Sequence, residues 1–190
     1  MGKQVLEMKK SGCPLGERFD FKKQKCVPHP YKHDSLPTIV KKSKDIAINI
    51  LNKHGIFNPL TVKIKEFKGY RKGFLACYRN GTQFSSHPIF WINKDLNNII
   101  MESEVEFCHR INEYTVISDN ILHEYAHVIY EWAQFRNPAL RKMIDNRWKN
   151  EEDFAEGFID YARDSMFNVD EEKYDQVMET FKKDIQWTQK

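Results

Sequence analysis

The feature that most narrows what this chain can become is His123-Glu124-Tyr125-Ala126-His127, set inside an apolar pattern that runs from Ile117 to Trp132. Histidines four apart on a helix share one face, so both imidazoles can reach a single point in space. A helix face that buries two histidines and a glutamate must find polar partners for them, and a metal ion meets that need for both rings at once. Glu124 directly follows the first histidine, which puts its carboxylate beside the ion's open position, where it can take a proton from a water. The spacing predicts a helix that is both a core element and the carrier of a zinc site. Ser118 and Asp119 read as its N-cap, and Ile121, Leu122, Tyr125, Val128, Ile129 and Trp132 as its core-facing surface.

At 190 residues, with 41% hydrophobic and 13% aromatic content, the chain can bury one core and a small appendage. The expected division is a cysteine-bracketed N-terminal arm over residues 1–34 and one principal domain over residues 35–190. Thirty basic residues against 27 acidic ones leave a charge of only +3, and the basic residues are scattered, which argues against nucleic acid as a partner. No apolar run approaches a membrane span, and the first ten residues lack the apolar core of a signal peptide. No membrane and a cytoplasmic location are therefore expected. In the arm, Cys13 and Cys26 bracket a polar, turn-rich loop that His29 and His33 follow. Three readings stand open there: a Cys13–Cys26 disulfide, a second zinc held by Cys13, Cys26, His29 and His33, or a reduced arm.

The principal domain opens on a helical pattern, with Pro37 in its first turn, Ile39, Val40, Ile46, Ala47, Ile50 and Leu51 at helical spacing, and Gly55 as the stop. Leu60, Val62 and Ile64, and then Phe74, Ala76 and Tyr78, alternate with polar residues and predict two half-buried strands. Residues 87–93 predict a third, which Pro88 suits to a strand start or a sheet edge. Residues 94–114 are read as one helix and a loop, with Cys108 as a core cysteine and His109 on the surface. Asn137-Pro138 breaks the chain; a short helix over 140–148, an acid-led helix over 151–163 and a closing helix over 169–187 follow. Helices on a small sheet make the class α+β.

Two histidines do not complete a catalytic zinc site, which takes three protein ligands and leaves a fourth position open. No histidine follows His127, so the acid-rich start of the helix at Glu151 is the natural supplier. Glu152 and Glu156 are spaced i, i+4 and face the same way, one able to bind metal while the other accepts a hydrogen bond from a ligand histidine. Glu151 and Asp153 read as exposed acids favouring the helix dipole.

His-Glu-x-x-His followed on a later helix by Glu-x-x-x-Glu resembles the gluzincin metallopeptidases. More narrowly, Glu152-Asp-Phe-Ala-Glu-Gly-Phe158 is similar to the Glu-x-Phe-Ala-Glu-x-Phe segment of anthrax lethal factor and related phage and bacterial peptidases. The resemblance covers the motifs between residues 118 and 161. It implies a zincin-like fold: a small, twisted, mostly antiparallel sheet with an N-terminal helix, the active-site helix and the glutamate helix. It further implies His123, His127 and Glu152 as zinc ligands, Glu124 as general base, and Glu156 as the outer partner of a ligand histidine. The activity implied is zinc-dependent hydrolysis of a protein or peptide, with an extended substrate adding along the strand at Ile89–Asn93. The chain departs from the pattern where relatives carry an oxyanion-stabilising tyrosine shortly before the ligand glutamate. Arg147 and Tyr161, with Tyr125 behind them, are the candidates for that role here. Two rival readings are a zincin-fold binding or structural module of a virion or toxin, and a zinc amidohydrolase acting on a non-protein amide. If the source is viral, the location becomes the host cytoplasm or the virion.

Overall fold

The computed structural model describes residues 17–20, 22–23, 25–28, 35–57, 60–68, 76–79, 88–94, 113–164 and 170–188. In the arm, strands β1 (Glu17–Asp20) and β2 (Lys25–Pro28) form an antiparallel hairpin with Phe19 opposite Cys26. Cys26 is disulfide-bonded. A sulfur in a disulfide is not a thiolate, so of the three readings left open for the arm this state of Cys26 agrees with the disulfide. Cys13, His29 and His33 lie outside the described residues, as do Cys108, His109 and residues 95–112 of the helix and loop expected over 94–114.

Helix α1 (Leu36–Lys53) begins with Pro37 in its first turn and ends where Gly55 takes a φ of 75°, a left-handed conformation that suits glycine. Strands β3 (Thr61–Lys65), β4 (Ala76–Arg79) and β5 (Ile89–Asn93) form one sheet in the order β3-β5-β4. This arrangement corrects two expectations. The sheet is not mostly antiparallel: β3 and β5 run parallel, with Val62 opposite Phe90, while β4 and β5 run antiparallel, with Ala76 opposite Ile92. Nor is Ile89–Asn93 an edge, because β3 and β4 occupy both of its sides. Pro88 stands just before the strand, where its missing N–H costs no ladder bond, and its carbonyl accepts from the Thr61 amide at 3.0 Å.

Helix α2 (Glu113–Arg136) is the central element, packed against α1, the sheet and the helices that follow. Ile117, Ile121, Leu122, Tyr125, Ala126, Ile129 and Ala133 are all buried on it, so it is apolar around most of its circumference. It starts five residues before Ser118. Ser118 and Asp119 are therefore not its N-cap, and sit inside its first turns. Helix α3 (Pro138–Asp145) is capped by Asn137, whose side chain accepts from the Leu140 amide at 2.9 Å. Helix α4 (Glu151–Ala162) is capped by Asn150, which accepts from the Asp153 amide at 2.9 Å, while Asp153 accepts from the Lys149 amide at 3.1 Å. Helix α5 (Glu171–Thr188) closes the chain.

Behind α4 lies an aromatic stack that fixes its height. Tyr174 of α5 stacks on Phe154 and Tyr161, with centroids 5.6 Å and 5.0 Å away, and its hydroxyl donates to the Phe154 carbonyl at 2.9 Å. Gly157 is the residue on α4 that lets the tyrosine in, since a Cβ there would collide with the Tyr174 hydroxyl. No helix among the described residues is long and apolar enough to cross a membrane.

Candidate metal centre

Helix periodicity brings His123 and His127 together on the polar strip of α2, their ring centroids 4.9 Å apart. Helix α4 runs antiparallel along that strip, since Glu151 meets His127, Glu152 meets His123, and Arg163 at the far end meets Asp119. The first turn of α4, held by its Asn150 cap, thus delivers carboxylates to the two histidines.

Two imidazole nitrogens and one carboxylate converge. His123 Nε2 lies 3.2 Å from His127 Nε2 and 3.3 Å from Glu152 Oε2, and His127 Nε2 lies 3.6 Å from Glu152 Oε1. Ligands at about 2.0–2.1 Å from a tetrahedral zinc are separated from one another by roughly 3.3–3.4 Å; with one atom taken per residue, the three donors here lie within 4.8 Å of one another, close enough to share one ion. Their chemistry fits as well, with two imidazole nitrogens and a carboxylate. Among the described residues this is the group of histidine, cysteine and acidic side chains able to hold a metal. Both histidines are largely buried, whereas the Glu152 side chain is 66% exposed, so the triangle opens to solvent on the Glu152 side.

The electrostatics match a site that carries extra negative charge. Burial, followed by the charge of its neighbour His127, lowers the pKa of His123 in spite of Glu152 and Glu156. Burial also pulls on His127, but the Glu151 hydrogen bond and the carboxylates of Glu124, Glu151 and Glu152 together outweigh it and raise that group. The pair therefore accepts one proton far more readily than two. A divalent cation relieves the same charge imbalance.

The charge of Glu124, on the same turn of α2, acts on His127. Glu156 does not have the role expected of it. It is exposed and acts on His123 through its charge, whereas the hydrogen bond to a histidine comes from Glu151, whose Oε1 lies 2.5 Å from His127 Nδ1. Glu151 was the residue that sequence reasoning passed over, for no pattern within its own helix tells it from Asp153. The oxyanion candidates are engaged elsewhere. Arg147 donates to the Lys173 carbonyl at 3.1 Å and to Gln176, Tyr161 donates to Asp175 at 2.8 Å from within the aromatic stack, and Tyr125 is fully buried in the core. The Asp175 bond and burial raise the Tyr161 phenol well above its ordinary value, burial contributing most.

The far end of the helix pair is a lock rather than part of the site. Arg163 donates through Nε to Asp119 and through Nη2 to Ser118 Oγ at 2.6 Å, and Ser118 is fully buried. Family models, curated proteins and solved structures compared with the chain give no match, so the metal centre stands on its motif and its geometry.

Proposed function

We propose that the protein is a zinc-dependent metallopeptidase with a zincin-like fold, in which His123, His127 and Glu152 hold the ion and Glu124 is the general base. The observation that carries the reading is the three-donor triangle with a glutamate beside it on the same helix turn. A structural zinc is closed by four protein ligands, whereas three donors converge among the described residues and their exposed side faces solvent. A zinc bound there would supply Lewis acidity, polarising a carbonyl and acidifying a water.

The rest of the chemistry belongs to side chains. Glu124 takes the proton from the attacking water as its oxygen bonds to the scissile carbon, then delivers that proton to the departing nitrogen as the C–N bond breaks. The site needs no nucleophile from the protein. An extended substrate cannot pair with Ile89–Asn93, which is internal; the described edge packed nearest α2 is β4, and it is the one available for strand addition.

The test is mass-spectrometric profiling of peptides from a proteome digest incubated with zinc-loaded protein, with chelator added, and with Glu124→Gln. Cleavages that vanish in both controls are the expected result. A zinc-loaded wild type that leaves every peptide intact removes the peptidase reading and moves the case to a non-protein amide or a binding module. Glu124→Gln that cleaves like wild type removes the base assignment.

A further inference from the structure

We infer that Glu151 is a positioning residue that orients the His127 ring and selects its tautomer, a role that rests on the metal-site reading above. Glu151 and Glu152 are adjacent in the first turn of α4, yet they address opposite edges of one imidazole. Glu151 Oε1 lies 2.5 Å from Nδ1, and Glu152 Oε1 lies 3.6 Å from Nε2. An ionised carboxylate only accepts hydrogen bonds, so Nδ1 carries the proton and the neutral ring keeps its lone pair on Nε2. That lone pair points to the side where His123 Nε2 stands 3.2 Å away, which is the donor triangle.

Remove Glu151 and the balance reverses. Among the described residues, Glu152 Oε1 and His123 Nε2 are the acceptors seen beside the ring once Glu151 is gone, and both lie on the Nε2 edge, so the proton moves to the atom from which a metal needs an electron pair. Glu156 cannot substitute, because it lies one turn further along α4, beside His123. Glu151 is itself held in place. It is the first residue of a helix whose start is fixed by the Asn150 cap, by the Asp153 bond to the Lys149 amide, and by Phe154, which is fully buried. The division of labour between neighbours on one turn is therefore built into the packing of α4 on α2.

Two readouts test the role. In metal-free protein at alkaline pH, NMR of isotope-labelled histidine reports which nitrogen of His127 carries the proton. Wild type and Glu151→Gln are expected to show the Nδ1–H form, since the amide oxygen still accepts, and Glu151→Leu to shift toward Nε2–H. Zinc alone, titrated by chelator competition, should bind Glu151→Leu about 10- to 100-fold more weakly, Glu151→Gln less than about tenfold more weakly, and Glu156→Gln much as wild type. An Nε2–H tautomer in wild type, or wild-type zinc affinity in Glu151→Leu, overturns the inference. Wild type without zinc affinity removes the metal reading instead, and the tautomer measurement then still decides the role of Glu151.

Discussion

Replacing Arg163 with methionine tests whether the register of the two site helices is held electrostatically from their far end. Methionine keeps much of the aliphatic stem but removes the guanidinium that donates to Asp119 and to the buried Ser118 hydroxyl. Both charged side chains are about three-quarters buried, with 26% and 28% of their surface exposed. Breaking a fully buried pair costs about 3–5 kcal/mol, and partial exposure brings the expected loss to about 2–3 kcal/mol at neutral pH. In a domain of this size that lowers the melting temperature by about 4–12 °C. The loss should depend on pH in a definite direction. Burial raises the Asp119 pKa from 3.8 even though Arg163 pulls it down, and the charge of Asp160 adds to the rise. A carboxylate raised in the folded state contributes stability that is complete below its unfolded value and is lost as pH rises through its folded value. Without Arg163 that folded value climbs further, so the gap to wild type opens as pH rises through the wild-type folded value, itself above 3.8, and levels off above the variant's own value. At the acid end only the lost Ser118 bond remains. Chemical denaturation across pH measures the gap, and Asp119→Asn added to Arg163→Met should close most of it at neutral pH. A gap that is the same at acid and neutral pH, or a double variant no better than the single, would refute the electrostatic account.

Three further outcomes are expected. Glu124→Gln should keep zinc and stability while losing at least about 100-fold in peptide turnover, measured as kcat on a cleaved peptide against zinc content of the same sample. Glu152→Ala should lose more zinc affinity in chelator competition than Glu156→Ala, because the first removes a donor of the triangle and the second a charge beside it; the opposite order shifts the register of α4 by one turn. Gly157→Ala should destabilise by about 1–3 kcal/mol in denaturant unfolding, since its Cβ meets the Tyr174 hydroxyl, and Tyr174→Phe should relieve part of that loss.

The site was legible where it depends on local periodicity. The i, i+4 histidines can be read from helix geometry alone; helix spacing leaves Glu152 and Glu156 as equals, and the choice of Glu152 comes from the resemblance. Contacts between helices were not legible in the same way. Ser118 and Asp119 have the chemistry of caps, but their partner is Arg163, 45 and 44 residues away, and no local pattern announces it. Glu151 and Glu156 were misassigned for the same reason, since which acid meets an imidazole is decided by how α4 lies on α2. The sheet order had a signal that was outweighed. Ile89-Phe-Trp-Ile92 is an unbroken apolar run, the mark of a strand flanked on both sides, while Pro88 suggested an edge; the proline precedes the ladder and interrupts nothing.

Whether one zinc sits on His123, His127 and Glu152 is read directly by X-ray absorption spectroscopy of protein loaded with a single equivalent of zinc. The expected result is a first shell of nitrogen and oxygen only, at about 2.0–2.1 Å, with outer scattering from two imidazole rings that weakens in His127→Ala. A sulfur shell at about 2.3 Å, or an unchanged spectrum in His127→Ala, would contradict it.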